Sequence, residues 1–475
     1  MSGTYHLTNS FTMKNLGSLE HADISLKPLT ILCGKNNTGK TWLMYSIYGF
    51  LKNDLDKLNE INNIIDNLKE NGTFYFNLLE WIEKNYKSFI KSVEKINKDN
   101  LTNVFNSSSQ LFENTFFSWN IDLDTLKNNI LTSKFTVNLI LGLKEDTFFL
   151  ATKSIGSEVE LMLSNKLPDD LIGRAISSII YKSCLGICKT NTKNVFLIPA
   201  ERNGLHLFYK ELSNRRTALL HHASRKQLDL KSLLHDVLGS KYAKPIADYI
   251  DWLNELPDLK KNKEKKRKDD SLHIIAEEIK KIIGGKYEIN NDGNIEFIPK
   301  KTRGKPSPPK LDLHLSSSTI KSLFGIWFYL EYQAQVNDTI MLDEPELNLH
   351  PSNQRVIARI VTKLVNAGIN VILSTHSDYF VREINSLVML SDEQGDPSTK
   401  SELMTKYSIS EDCVINKDKI GAYLFKDNNV KPMEITNEGI IATTFDEEIN
   451  LLNESSDDIY YSYVEPIGAD DKITD

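Results

Sequence analysis

Apolar residues along the chain gather into short, densely hydrophobic runs that stop at turn residues. Leu29-Thr30-Ile31-Leu32-Cys33 predicts a buried strand running straight into Gly34, and Trp42 to Leu51 predicts a buried helix shortly after it. The order is therefore strand, glycine-containing loop, helix. Two further apolar runs end in polar clusters: Thr339-Ile340-Met341-Leu342 leads into Asp343-Glu344-Pro345-Glu346, and Asn370-Val371-Ile372-Leu373-Ser374 leads into Thr375-His376-Ser377. Phe135-Leu141, Phe148-Thr152 and Val195-Pro199 read as additional strands. From residue 52 to about 133 the spacing turns helical, as in Leu58, Ile61, Ile64, Ile65 and Leu68, and helical periodicity returns from Leu205 to about Ile250. Its heptads are not sustained, so no long coiled-coil arm is predicted in the first of these regions.

The chain has 475 residues, too many for one ordinary compact core, which implies either one main domain with large insertions or two to three domains. Hydrophobic residues at 40% and charged residues at 25% fit a globular protein. No apolar run approaches the roughly 18 to 20 residues that cross a bilayer, and Met1 to Asn9 lacks a basic start followed by an apolar stretch; a cytoplasmic chain with no membrane contact is expected. Four cysteines argue against a disulfide framework, and Cys184 and Cys188 read as small core residues rather than metal ligands. The net charge of −7 disfavours coating of nucleic acid by bulk charge, so any DNA or RNA contact must be local. Lys260 to Lys268, most simply a solvated linker, is the best sequence candidate for such a patch, and His221-His222 reads as a polar helix face.

The glycine loop carries the first chemistry. In Gly34-Lys35-Asn36-Asn37-Thr38-Gly39-Lys40-Thr41 the spacing suits a phosphate cradle: glycines let successive N–H groups turn inward, and the following helix offers its positive N-terminus. Lys40 then reaches the β and γ oxygens and Thr41 offers a hydroxyl to magnesium. At the second strand end, Asp343 is placed to hold that magnesium and Glu344 to polarise an attacking water. His376 closes the third strand end, and strand carboxyl ends gather on one edge of a parallel sheet, so it can share the crevice with Lys40 and Glu344.

With these motifs the chain resembles the ABC-type ATPase heads of the SMC, RecF and OLD group. The matching stretches are Gly34 to Thr41, Leu315-Ser316-Ser317-Ser318-Thr319 to Leu323, Asp343-Glu344-Pro345 with Leu347-Asn348-Leu349-His350-Pro351, and Ser374-Thr375-His376-Ser377. Their order matches the family's Walker A, signature, Walker B, D-loop and switch-histidine elements. The resemblance implies an α/β head with a mixed sheet, interrupted by largely helical insertions. It implies ATP and Mg2+ as ligands: Gly34, Asn36 to Thr41 on the phosphates, Thr41 and Asp343 on the metal, Glu344 as catalytic base and His376 on the γ-phosphate. It also implies that Ser316, Ser317 and Ser318 touch the nucleotide of a facing second copy, although Ser318 stands where the family usually has glycine, a departure that points to slow hydrolysis. The lobe-linking glutamine is not placed, Gln110 being a guess.

The head is expected in residues 1–50, 191–204 and 310–395, with an insertion at 51–190, a second at 205–309 carrying the basic linker 260–268, and a C-terminal extension at 396–475. Ile198-Pro199-Ala200-Glu201-Arg202 and the ending Thr443 to Asn450 look like bacterial anti-phage ATPases of the PARIS, Septu or retron-associated kind. That narrower resemblance implies a sensor or regulator acting as a homodimer or higher oligomer on an effector such as a nuclease encoded nearby. A RecF-like repair or recombination ATPase is the alternative; an energising subunit of a transporter fits less well. About 100 residues follow His376, too few for an appended nuclease domain, and Asp457, Asp458, Asp470 and Asp471 lie in a polar tail.

Overall fold

The computed structural model describes residues 9–53, 57–140, 147–165, 167–186, 195–212, 242–261, 271–290, 292–301, 303–304, 306–441 and 443–464. His221, His222, Cys188, Asp470, Asp471 and residues 262–268 of the basic linker lie outside them. Among the described residues the largest element is a nine-stranded sheet. Its order runs β5 (Phe116–Asn120), β1 (Ser10–Leu16), β2 (Leu19–Ser25), β16 (Asn429–Pro432), β15 (Ile420–Lys426), β3 (Leu29–Gly34), β14 (Asn370–Thr375), β13 (Thr339–Asp343) and β9 (Val195–Ile198). From β15 to β9 every neighbouring pair is parallel, whereas β5, β1 and β2 pair antiparallel, so the sheet is mixed.

The central strands are apolar throughout because both faces are covered. Along β3, Leu32 points into one core cluster while Leu29, Ile31 and Cys33 point into the other. The same alternation sends Met341 of β13 and Ile372 of β14 to the first cluster and Ile340, Leu342, Val371 and Leu373 to the second. The first face carries α1 (Lys40–Lys52), α2 (Asn62–Asn71), α3 (Leu78–Phe105), α4 (Leu123–Thr132) and α5 (Asp169–Cys184). Gly49 marks the crossing of α1 and α3: a β-carbon there would lie 2.4 Å from Val104 Cγ2. The second face carries α6 (Lys244–Asn254), α7 (Leu256–Lys261), α8 (Ser271–Ile283), α9 (Ser318–Tyr332), α10 (Pro351–Asn366) and α11 (Asp378–Met389).

Smaller sheets sit beside the main one. β4 (Thr73–Asn77), β8 (Glu158–Leu163), β7 (Thr147–Lys153) and β6 (Phe135–Ile140) form an antiparallel sheet, and β10 (Gly285–Ile289), β11 (Ile295–Pro299) and β12 (Leu311–Asp312) form another. Two segments depart from the sequence-based division. β5, from the expected insertion 51–190, pairs with β1 at the edge of the main sheet, and β15, from the expected extension 396–475, pairs with β3 inside it. For β15 the reason is physical: β3 is apolar on both sides, and its edge away from β14 needs a partner that the expected head segments do not supply.

Candidate functional site

β3 delivers the loop. Its chain turns at Asn37, with φ of 62°, and at Gly39, with φ of 94°, before α1 begins at Lys40. Only glycine fits at 39, because an added β-carbon would lie 2.6 Å from Leu19 Cγ. Asn36 and Asn37 are exposed, and Thr38 Oγ1 donates to the Lys35 carbonyl at 2.8 Å. The Lys40 ammonium curls back into the loop and donates to the carbonyls of Gly34 at 2.9 Å and Lys35 at 2.7 Å. Burial lowers its pKa, and the nearby charges of Glu344 and Asp343 pull the other way.

β13 and β14 run parallel in a register that sets Asp343 opposite Ser374. Asp343 is buried, its Oδ1 accepting from Ser374 Oγ at 2.5 Å and its Oδ2 facing Thr41 Oγ1 at 3.4 Å. Burial pushes the Asp343 carboxyl up to about 6; the Ser374 bond opposes this and the Glu344 charge adds to it. A hydroxyl and a carboxylate oxygen this close, both hard donors, suit a small divalent cation, which would offset the charge that burial disfavours. Glu344 follows at φ of 52° with its amide donating to Ser374 Oγ at 3.1 Å. Its carboxylate meets His376 Nε2 at 2.7 Å, and His376 Nδ1 lies 3.4 Å from the Gly34 carbonyl. That bond holds Glu344 below and His376 above their ordinary values. Glu346 accepts from Thr375 Oγ1 at 2.7 Å and from the His376 amide at 3.0 Å, so it fixes the turn that aims the imidazole. Lys40, Thr41, Asp343, Glu344 and His376 thus converge at the carboxyl ends of β3, β13 and β14.

Sequence reading missed Arg202. β9 ends at Ile198 beside β13, and Pro199-Ala200-Glu201-Arg202 turns into a helical segment at 202–212. The Arg202 side chain is 1% exposed. It donates from Nη1 to the Asp343 carbonyl at 2.9 Å, from Nη2 to the Glu344 carbonyl at 2.8 Å, and from Nε to Ser322 O and Oγ at 3.1 Å each. The fork therefore clamps the peptide on either side of the left-handed Glu344 and ties it to α9. A fourth apolar strand ending in charged residues was the available signal.

The serines are not brought into this cluster. Ser317 caps α9, accepting from the Ile320 amide at 3.4 Å, Ser318 opens the helix in solvent, and Ser316 Oγ is buried without a partner. Thr319 Oγ1 donates to the Asn348 carbonyl at 3.2 Å, so the start of α9 rests on the loop after Glu344. Gln110 lies exposed in a short turn, Ser109–Phe112. Cys184 is buried in the core.

A family described as an AAA ATPase domain matches residues 8–381. No curated protein matches the chain. Among solved structures, it is similar to an Smc head domain with an extended coiled coil bound to the C-terminal domain of ScpA, derived from Pyrococcus furiosus: 14% identity, 94% of this chain and 100% of that one covered, TM-score 0.36. It is also similar to the SMC head domain from Thermotoga maritima, at 10% identity, 90% and 99% coverage and a TM-score of 0.30. The architecture above rests on the chain's own strand order, not on these remote likenesses.

Two outcomes follow from the geometry. Arg202→Lys keeps the charge but loses the fork, so buried carbonyls are left without donors; unfolding in urea should show a loss of roughly 2 kcal/mol or more. The His376–Glu344 pair gives a pH signature. The raised imidazole contributes stability that is complete below its ordinary value of 6.5 and is lost as pH rises through the raised value. The lowered carboxyl contributes above its ordinary value of 4.5 and loses this as pH falls through the depressed value. The stability gap between wild type and His376→Gln, followed by thermal melting across pH, should therefore be widest between these two values and narrow on both sides. A gap independent of pH would exclude a charged pair.

Proposed function

The chain belongs to the AAA ATPase domain family, and from that premise we propose that it binds and hydrolyses ATP with magnesium at the edge where β3, β13 and β14 end. The convergence of Lys40, Thr41, Asp343, Glu344 and His376 carries this reading. Lys40 and the loop amides from Asn36 to Thr41 hold the phosphates. Thr41 and Asp343 hold magnesium, which when bound there neutralises charge on the β and γ oxygens. Glu344 takes the proton of the attacking water, and His376 contacts the γ-phosphate.

The ion pair adds a step to that scheme. His376 Nε2 meets the carboxylate proposed as base at 2.7 Å, so an imidazole in this position engages Glu344. A γ-phosphate that draws the imidazole away frees Glu344 at the moment substrate is in place. Ser316, Ser317 and Ser318 complete the site of a facing copy. The exposed start of α9 at Ser317 and Ser318, and the buried Ser316 hydroxyl beside it that has no partner, support that assignment. The nucleotide state then governs pairing of two copies.

On the resemblance of Ile198 to Arg202 and Thr443 to Asn450, the biological role we assign is a cytoplasmic regulator of bacterial anti-phage defence. It controls a partner effector, such as a nuclease encoded nearby, through nucleotide-dependent dimerisation. Detection of an effector that co-purifies with the chain and dissociates on ATP turnover tests that role.

Glu344→Gln keeps shape and removes the base, so turnover should fall by about 100-fold or more while labelled ATP still binds and a paired species accumulates on gel filtration. Turnover at the native rate would overturn the assignment. A mixing test addresses sharing. Ser316→Arg should leave ATP binding nearly intact yet block closure, and Lys40→Ala should lose binding. Combined, the two inactive chains form a dimer with one intact composite site, so activity should return in part. Demonstrated co-assembly with no recovery counts against a shared site.

A further inference from the structure

Away from the nucleotide edge, α8 ends at Ile283 and Gly284, at φ of 63°, turns the chain directly into β10. Gly285 lets the hairpin close tightly, since a β-carbon there would lie 2.4 Å from the Ile298 carbonyl, and the Lys300 amide donates back to Gly284 at 2.8 Å. This folding brings Lys280 and Lys281 at the helix end, Lys286 on β10, and Lys300 and Lys301 after β11 around one open cavity of about 580 Å³. Ile298, Pro299 and Pro308 complete its wall.

The charge of this cavity is not balanced. Lys280 pairs with Glu277 at 2.5 Å, the one acidic residue of the lining. Lys281, Lys300 and Lys301 make no ion pair with any described residue; Lys286 shares its strand face with Glu288 and Glu296, and those two acids lie 2.8 Å and 3.6 Å from Lys310. Two lysines at a helix C-terminus are ordinary partners of its dipole. That explains Lys280 and Lys281 but not three more from strand ends. Five lysines against the single carboxylate of Glu277 around one concavity, in a chain of net charge −7, make a local positive patch that attracts anions.

We propose that this cavity binds the phosphate backbone of a nucleic-acid strand. Several cations at separated points match successive phosphates better than one small anion. Lysines act as point charges without the fork that reads a base edge, and among the described residues no aromatic side chain lines the cavity to stack a base, so the site tracks backbone and not sequence. It is built against α9: Tyr287 of the hairpin donates to the Ile320 carbonyl at 2.5 Å, and Lys280 Nζ lies 5.8 Å from the Trp327 ring centre.

The test is fluorescence anisotropy with an end-labelled single strand of about 30 nucleotides, without added nucleotide, over a series of salt concentrations. The wild-type chain should bind, weakening steeply with salt. The triple variant Lys281→Gln, Lys286→Gln, Lys300→Gln should lose at least tenfold in affinity, and its slope of log affinity against log salt should be shallower by about 2, from roughly 0.7 per phosphate contact. The loss should be equal for two unrelated sequences, and the corresponding triple change to arginine should restore binding. If the glutamine triple fails to fold, Lys300→Gln alone, at an exposed position, should reduce the slope by about 0.7. Unchanged affinity and slope in the variants would overturn the proposal, as would a wild-type chain that binds inorganic tripolyphosphate but no strand. The measurement is independent of ATP hydrolysis, so Lys40→Ala should bind the strand as wild type does.

Discussion

Parallel pairing of β3, β14 and β13 is the constraint on which the nucleotide edge depends. Because all three run the same way, the residues that follow them emerge on one side of the sheet, and the register decides which groups meet. Asp343 stands opposite Ser374, and Thr375 opposite Cys33. A slip of one residue would turn Ser374 to the other face and break its bonds to the Asp343 carboxylate and the Glu344 amide. The alternating assignment of β3, β13 and β14 residues to two apolar clusters makes such a slip costly, because it would exchange both faces at once. The cores on the two faces therefore do more than stabilise: they hold the register within which the polar groups find one another.

That edge concentrates groups that folding disfavours. Asp343, Glu346, Lys40 and Arg202 are all buried, and Glu344 adopts a left-handed backbone that costs on the order of 1 kcal/mol or more. Asp343, Glu346 and Lys40 are held by the bonds described above, and Arg202 brackets the strained residue with its fork. Its other arm reaches Ser322, so the position of Glu344 and the position of α9 are not independent variables. A displacement at the start of α9 is felt by the carbonyls around the carboxylate proposed as base.

The local chemistry was legible because it sits in short, contiguous stretches. An apolar run broken by a glycine loop, or ended by Asp-Glu, is a pattern of a few residues whose physical meaning does not depend on the rest of the chain. What escaped was non-local. Nothing in the composition of Phe116–Asn120 says that its partner is β1, and nothing in Ile420–Lys426 says that it lies beside β3 rather than in an appendage. Arg202 carries only a resemblance in the sequence, because a lone arginine shortly after a proline reads as surface until its strand is known to neighbour β13. The lysines from 280 to 301 look like ordinary solvated charge when read in order, and become a group only when a hairpin folds them together.

The insertion of β15 between β3 and β16 has a consequence for how the molecule comes into being. Ser25 and Tyr423 bond to each other across 398 positions, so on the ribosome the strand that leads into the phosphate loop waits for a long stretch of later chain before its flank is covered. Closing so long a loop is entropically unfavourable and slow. During that wait the edge of β3, apolar on both faces, is the place where the nascent chain is most open to mispairing or to capture by a chaperone. The nucleotide edge is thus among the last parts of the molecule to be finished, and an incomplete chain cannot present it in final form.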